Sequence, residues 1–243
     1  MPVDGEAWRD ADVASRFARD RAWVVPESRA QIDVLLHLLR QRTVPPGTVV
    51  DLGCGDGVLL EVVLAACPEA SGIALDYSAP MQEHARRRLA AFGARARVAE
   101  ADLRDAEWGA ALAAPVDVVV SGFAIHHLPD ARKRALYAEI FDRLAPGGTF
   151  LNLEHVASAT PRVAGWHDEA MIGFQAAGRR AAGEPADVEA LRAAYRARPD
   201  KADNRLAPVE IQCAWLREIG FADVDVFWKW FELALFGGSK PCS

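Results

Sequence analysis

The sequence predicts an α/β protein in which a parallel sheet carries helices on both faces. Three observations lead there. Short apolar runs alternate with helical stretches from residue 48 to about residue 154, the order that builds βαβ units. One run, "VDVVVSG", is apolar almost throughout, as a central strand buried on both faces must be. The stretch "VVDLGCGDGVLL" crosses three alternating glycines between a strand and a helix, where the chain can turn tightly and bring its backbone against a ligand.

The elements follow in order. Helices are expected over residues 7–22 and 28–42; in the second, Ile32, Leu35, Leu36 and Leu39 form one stripe and His37 falls off it. "VPPG" (Val44 to Gly47) stops that helix before the first strand. Strand signals cover Thr48–Leu52, Gly72–Asp76, Arg95–Ala99, Asp117–Ser121 and Thr149–Glu154. Helical stretches fill the gaps at Val58–Ala66, Ala79–Phe92, Leu103–Ala113 and Ala131–Leu144. From Val156 to Pro208 the alternation breaks into a polar helical stretch rich in alanine and arginine. "VEIQCAWLREIGF" resumes a helix that Gly220 ends, and "DVDVFWKWFELALFGG" holds two further strands.

Composition narrows the function. The 243 residues suffice for one large domain, and 51% hydrophobic with 26% charged residues is ordinary for a globular protein. No apolar run approaches the roughly 18 residues of a membrane span, so no membrane partner is expected. The first twenty residues mix acids with arginines and have no apolar core, unlike a secretory signal, which places the expectation in the cytoplasm. Cys54, Cys67, Cys213 and Cys242 lack CxxC spacing, against a zinc knuckle or a disulfide framework. A net charge of −6 gives no general attraction to nucleic acid.

The glycine spacing discriminates among ligands. A dinucleotide fingerprint GxGxxG would need its third glycine at position 58, which is Val58. The loop is instead GxGxG (Gly53, Gly55, Gly57) after Asp51, a carboxylate that repels a pyrophosphate and welcomes an ammonium group. Asp76 ends the second strand, where a carboxylate can accept ribose hydroxyls. Tyr77 and Met81 can pack on a purine, and Asp102 after the third strand can accept from its amino group.

Taken in order, "DLGCGDG", "LDYS", "ADLRD", "VVVSGFAIHHLPD" and "LAPGG" resemble the class I S-adenosylmethionine-dependent methyltransferases, especially small bacterial enzymes of the ubiquinone-biosynthesis and small-molecule types. The resemblance is strong from about Val13 through His155 and looser over the C-terminal strands. It implies a Rossmann-like seven-stranded sheet, mostly parallel with the last strand antiparallel, and S-adenosylmethionine as cofactor. It also implies one methyltransferase domain over 1–243, with a helical cap at 1–43 and a lid insertion at 156–208. Asp51, Gly53, Cys54 and Gly55 would line the methionine half, Asp76 the ribose, and Tyr77 and Met81 the adenine faces. Asp102 and the Leu103 amide would read the adenine edge, Ser121 would offer backbone at the end of strand four, and Phe17 and Arg21 would close over the cofactor.

Catalytic candidates gather at the carboxyl ends of strands four and five, where open α/β sheets place their sites. They are His126, His127, Glu154 and His155, with His126 and Glu154 fitting a general base and its orienting carboxylate; the alternative role for one histidine is to brace the loop. Adjacent histidines point apart, so no metal site is expected of them. Trp166, His167 and Tyr195, with Met171, Phe174, Arg179 and Arg180 beside them, are the acceptor-pocket candidates in the insertion. The expected activity is methyl transfer to an O, N or C nucleophile of a small molecule. The alternatives are methylation of a tRNA base or protein side chain, or a non-catalytic cofactor-binding regulator.

Overall fold

The computed structural model describes residues 26–113, 115–198, 201 and 203–242; the expected helix at 7–22, with Phe17 and Arg21, lies outside them. The apolar runs form strands β1 (Thr48–Leu52), β2 (Ser71–Asp76), β3 (Ala96–Glu100), β4 (Val116–Gly122), β5 (Leu144–His155), β6 (Ala222–Trp230) and β7 (Leu233–Ser239). The helices are α1 (Ser28–Arg40), α2 (Val58–Ala66), α3 (Ala79–Leu89), α4 (Asp130–Arg143), α5 (Pro161–Ala181), α6 (Val188–Arg196) and α7 (Val209–Ile219). The seven strands lie in the order β3-β2-β1-β4-β5-β7-β6. β1 to β5 pair in parallel, and β7 runs antiparallel to both its neighbours.

Strand alternation divides the interior into two cores. On β4, Val119 packs with Leu136, Tyr137 and Ile140 of α4 and with Val209, Cys213 and Leu216 of α7. Val118 and Val120 point to the opposite face, against Leu35 and Leu39 of α1, Leu60 and Leu64 of α2, and Ala85 and Leu89 of α3. Both faces of this strand are therefore dry, which is why its sequence has no polar alternation. Each such buried Val or Leu contributes about 1.5–3 kcal/mol. A third, smaller cluster joins the inserted helices α5 and α6 through Met171, Ile172, Ala176, Leu191 and Tyr195, with Trp230 of β6 against it.

Three expectations need correction. The helix expected over Leu103–Ala113 is a loop followed by a short 3-10 turn at Ala106–Ala111. Arg132 draws the Leu103 and Asp105 carbonyls outward at 2.8 and 3.0 Å, and Arg143 occupies the space a side chain at Gly109 would need. The helix expected to reach Phe92 ends at Leu89 and tightens into a 3-10 turn broken at Gly93, with φ +56°. Strand five begins at Leu144 rather than Thr149, because Leu144 pairs with Val116 and "PGG" bonds to the chain's end through Lys240.

One clamp fixes the loop after β3 to the body. Arg132 holds Glu139 through both guanidinium nitrogens at 2.6 and 2.7 Å, and Trp108 Nε1 donates to the same carboxylate at 2.6 Å. Burial alone would raise the Glu139 carboxyl, yet the bonds from Arg132 and Trp108 outweigh it and hold it below the usual range. A lowered carboxyl stabilises the fold above its unfolded pKa and loses that contribution as pH falls through the folded value. Glu139→Gln should therefore cost about 1–2 kcal/mol at pH 7. The gap to wild type should narrow as pH drops toward 4, as read by urea denaturation at both pH values.

Candidate active site

β1 lies between β2 and β4, and the chain leaves β1 and β4 toward opposite edges of the sheet. A cleft opens at this divergence, at the strands' carboxyl ends. Its walls collect Asp51, Gly53, Cys54 and Gly55 after β1, Asp76, Tyr77 and Met81 after β2, and Asp102, Leu103 and Arg104 after β3. Beyond β4 and β5 it continues along His126, His127 and His155, and the insertion closes it with His167, Met171 and Tyr195. One continuous cleft thus contains most of the residues singled out in the sequence.

The glycine loop is shaped as the sequence requires. Gly53, Gly55 and Gly57 have φ of +63°, +54° and +80°, where a side chain is strained. A Cβ on Gly53 would overlap that of Ala124, so the two loops pack backbone to backbone. A Cβ on Gly55 would meet nothing within 4 Å and would instead project into open space. Asp76 anchors the loop, its Oδ2 accepting from the Gly55 amide and its Oδ1 from the Ser78 amide, both at 2.8 Å. Burial raises its carboxyl, against the lowering effect of those amides. The donor set suits a nucleoside: a carboxylate, Asp76, and two side chains able to pack on a ring, Tyr77 and Met81, line the same stretch of cleft.

Asp102 lines the cleft, and its carboxylate is gripped by Arg104, whose Nε and Nη2 donate at 2.9 and 2.5 Å. Arg104 also lies over the Tyr77 ring, 5.4 Å from its centroid. Arg104 was missed in the sequence because its partner, Asp102, sits only two residues away and gave no spacing signal. Two further assignments need correction. Ser121 is fully buried and donates to the Leu52 carbonyl at 2.8 Å, stitching β1 to β4, while Gly122, Phe123 and Ala124 line the cleft in its place. Trp166 is 53% exposed beneath Arg162 and does not line the cleft. It stands one helical step from His167, which points inward with Met171 one turn on, so Trp166 must face out.

The polar centre lies at the ends of β4 and β5. His126 Nδ1 is 2.6 Å from Glu154 Oε1, and the same oxygen accepts from the His155 amide at 2.8 Å. Glu154 is fully buried, and burial pushes its carboxyl up to about 7 against the lowering effect of that amide and of His127, His155 and Lys133. The His127 ring packs tilted against His126, with centroids 4.0 Å apart. His155 Nε2 instead meets Glu232 at 2.9 Å, a carboxylate from the turn between β6 and β7 that no sequence motif marked. The inserted segment reaches back over this centre: the Arg205 amide donates to the His126 carbonyl at 2.8 Å. Phe123, at φ +55°, is a strained non-glycine residue on the cleft wall, its amide held by the Leu153 carbonyl.

The loop geometry yields two expected outcomes. Asp76→Ala should weaken S-adenosylhomocysteine binding by about 1.5–3 kcal/mol, since it removes charge-assisted bonds and the anchor of the loop. Gly53→Ala should weaken it at least tenfold while leaving the protein folded, because the added methyl displaces the Ala124 loop. Calorimetry with circular dichroism as a folding control measures both. Unchanged affinity in folded variants would remove the ribose and loop assignments.

Comparison with known proteins bears on the family and the fold. A family model described as a methyltransferase domain matches residues 49–148, from β1 to the start of β5's ladder. The trans-aconitate 2-methyltransferase of Azoarcus sp. (strain BH72) is 33% identical over 150 residues, which cover 61% of this chain and 49% of that protein. An uncharacterized methyltransferase of Mycobacterium tuberculosis (strain ATCC 25618 / H37Rv) is 34% identical over 152 residues, 61% of this chain and 68% of its own length. Among solved structures, an O-methyltransferase family protein from Burkholderia thailandensis superposes with a TM-score of 0.65 at 19% identity, covering 95% of this chain and 59% of that one. Human N-acetylserotonin methyltransferase in complex with S-adenosylmethionine gives 0.61 at 15% identity, over 96% of this chain and 57% of its own. At such identities the solved structures speak for the fold alone, and this chain spans about half to two thirds of the length of these relatives. With the sheet order, the glycine cradle and the acidic strand ends all in place, the chain belongs to the S-adenosylmethionine-dependent methyltransferase family.

Proposed function

We propose that this protein transfers the methyl group of S-adenosylmethionine to a hydroxyl oxygen of a small molecule, with His126 as general base. The observation that carries the reading is the 2.6 Å contact between His126 Nδ1 and the fully buried Glu154, at the inner end of the cleft. When bound, the cofactor supplies an electrophilic sulfonium methyl. Asp51 and the glycine loop would hold its methionine half, Asp76 its ribose, and Tyr77, Met81, Asp102 and Leu103 its adenine.

The chain's own residues then do three things. Glu154 accepts from Nδ1 and fixes the imidazole tautomer, so that Nε2 is the atom that takes the acceptor's proton. In its ionised form Glu154 also stabilises the imidazolium as the proton arrives. The inserted helices, with His167, Met171 and Tyr195 lining the cleft, act as a lid that excludes water and orients the acceptor, an effect worth several kcal/mol, roughly 7 or more in favourable cases. A proton-bearing nucleophile is the class for which a positioned base matters, and this favours a hydroxyl.

A second reading has its own support. Arg198 and Lys201 stand on the rim of the cleft, Lys201 paired with Asp168 at 3.0 Å, and cations there suit an anionic acceptor. A carboxylate acceptor, such as the name of the Azoarcus relative describes, carries no proton to remove.

Methyl-labelled S-adenosylmethionine incubated with a small-molecule extract, and read by mass spectrometry, distinguishes the two. For a hydroxyl acceptor, His126→Ala should lower kcat by about 10²-fold or more, with S-adenosylhomocysteine affinity within about threefold of wild type. Glu154→Gln should lower kcat in the same direction. Full activity in His126→Ala, together with loss in Lys201→Ala, would instead establish the anionic acceptor.

A further inference from the structure

Beside the proposed base, two cleft-lining histidines, His155 and His167, meet a carboxylate that takes no part in the proton transfer assigned to His126. His155 ends β5, His167 comes from α5, and Glu232 lies between β6 and β7, so three separate elements converge. One potential ligand atom from each lies within 4.8 Å of the others. Their side chains are 17%, 1% and 8% exposed. His155 Nε2 is 2.9 Å from Glu232 Oε2, a hydrogen bond. His167 Nε2 faces the same oxygen from 3.8 Å, beyond hydrogen-bond reach. Its Nδ1 is buried without a hydrogen-bond partner among the described residues.

A buried imidazole with neither nitrogen bonded is costly, and native interiors rarely leave one so. With its proton on Nδ1, the His167 ring turns the Nε2 lone pair toward the Glu232 carboxylate. A lone pair and a carboxylate that face one another across 3.8 Å are each made favourable by a cation between them.

We propose that His155, His167 and Glu232 bind a divalent first-row transition-metal ion through the two Nε2 atoms and a carboxylate oxygen. Ligand atoms about 2.0–2.2 Å from an ion stand roughly 3–4.4 Å from one another, so only a small inward movement of the side chains closes the site. Two imidazoles and one carboxylate select such an ion over Mg²⁺ or Ca²⁺, which prefer oxygen throughout. His155 and His167 both line the cleft, so the remaining coordination positions open toward the space where an acceptor would sit. The His126 ring lies 5.7 Å from that of His155, which places the ion beside the proposed base and not on it. An ion would also tie α5 to the sheet. The site stands whether or not the cleft performs methyl transfer.

The test uses the full chain, free of any affinity tag and dialysed against a chelator, titrated with Co²⁺ by calorimetry and visible absorption. One equivalent should bind, with the d–d bands of nitrogen and oxygen coordination, and Zn²⁺ should raise Tm. His167→Ala and Glu232→Gln should each weaken Co²⁺ binding at least tenfold, whereas His37→Ala, at an exposed position, should not. Glu232→Gln keeps the side chain's shape and so serves if the alanine variant fails to fold. No binding by wild type, a spectrum dominated by thiolate bands, or unchanged affinity in the folded variants overturns the proposal. S-adenosylhomocysteine titrated into the same samples reports separately: its failure to bind wild type would sink the cofactor reading and leave the cobalt result standing.

Discussion

The divergence of the chain on either side of β1 is the constraint on which the site depends. β1 pairs with β2 on one side and β4 on the other, all parallel, so every strand from β1 to β5 ends at the same edge. The connections that follow must part there, and the space between them is the cleft. The Ser121 hydroxyl, donating to the Leu52 carbonyl, holds the two diverging strands together at their last turnable point. Asp51, Asp76, Asp102 and Glu154 then occupy equivalent places at or just beyond strand ends. Their common direction follows from the parallel sheet, which brings Asp51, Asp76 and Asp102 to the cleft wall and leaves Glu154 buried behind His126.

The fold must also carry a fully buried carboxylate. Among the described residues Glu154 bonds to His126 and to the His155 amide, and its Oε2 has no hydrogen-bond partner. Such a group is destabilising unless something compensates. Part of the compensation comes from Lys133, itself 1% exposed, which bonds to Asp130 and to the Arg205 carbonyl and lies near enough to favour the anion. Arg205 belongs to the segment that returns from the inserted helices, and its amide holds the His126 carbonyl. The insertion is therefore bonded directly to the histidine it covers. Removing water from Glu154 and orienting His126 are two results of one arrangement.

The inserted helices have a core of their own, Met171, Ile172, Leu191 and Tyr195, but the core is small and completed by Trp230 of β6. It could not be dry without the sheet beneath it. Ring contacts continue from His126 to His155 and on to His167, with centroids 5.7 and 5.5 Å apart, so the wall from base to insertion is one packed aromatic surface.

The amino-acid sequence by itself determined the sheet, most of its helices and the glycine loop after β1, because those depend on local facts. The period of apolar residues reports which faces are buried, and glycine alone tolerates the φ values of the loop after β1. His126 and Glu154 were also legible, since parallel strands deliver their ends to one edge and two residues after adjacent strands must be neighbours. Other features depended on contacts remote in sequence, and only the tertiary structure decided them. Arg132 overrode the helical pattern after β3 by bonding its carbonyls from α4, twenty-nine residues away along the chain for Leu103. Glu232 lies 77 residues from His155, in a turn with no pattern of its own, and becomes its partner only because β7 folds back antiparallel to β5. Trp166 and His167 are adjacent in a helix whose polar composition hid which side faces inward; the packing of α5 on Trp230 settled that, burying the histidine and leaving the tryptophan in solvent.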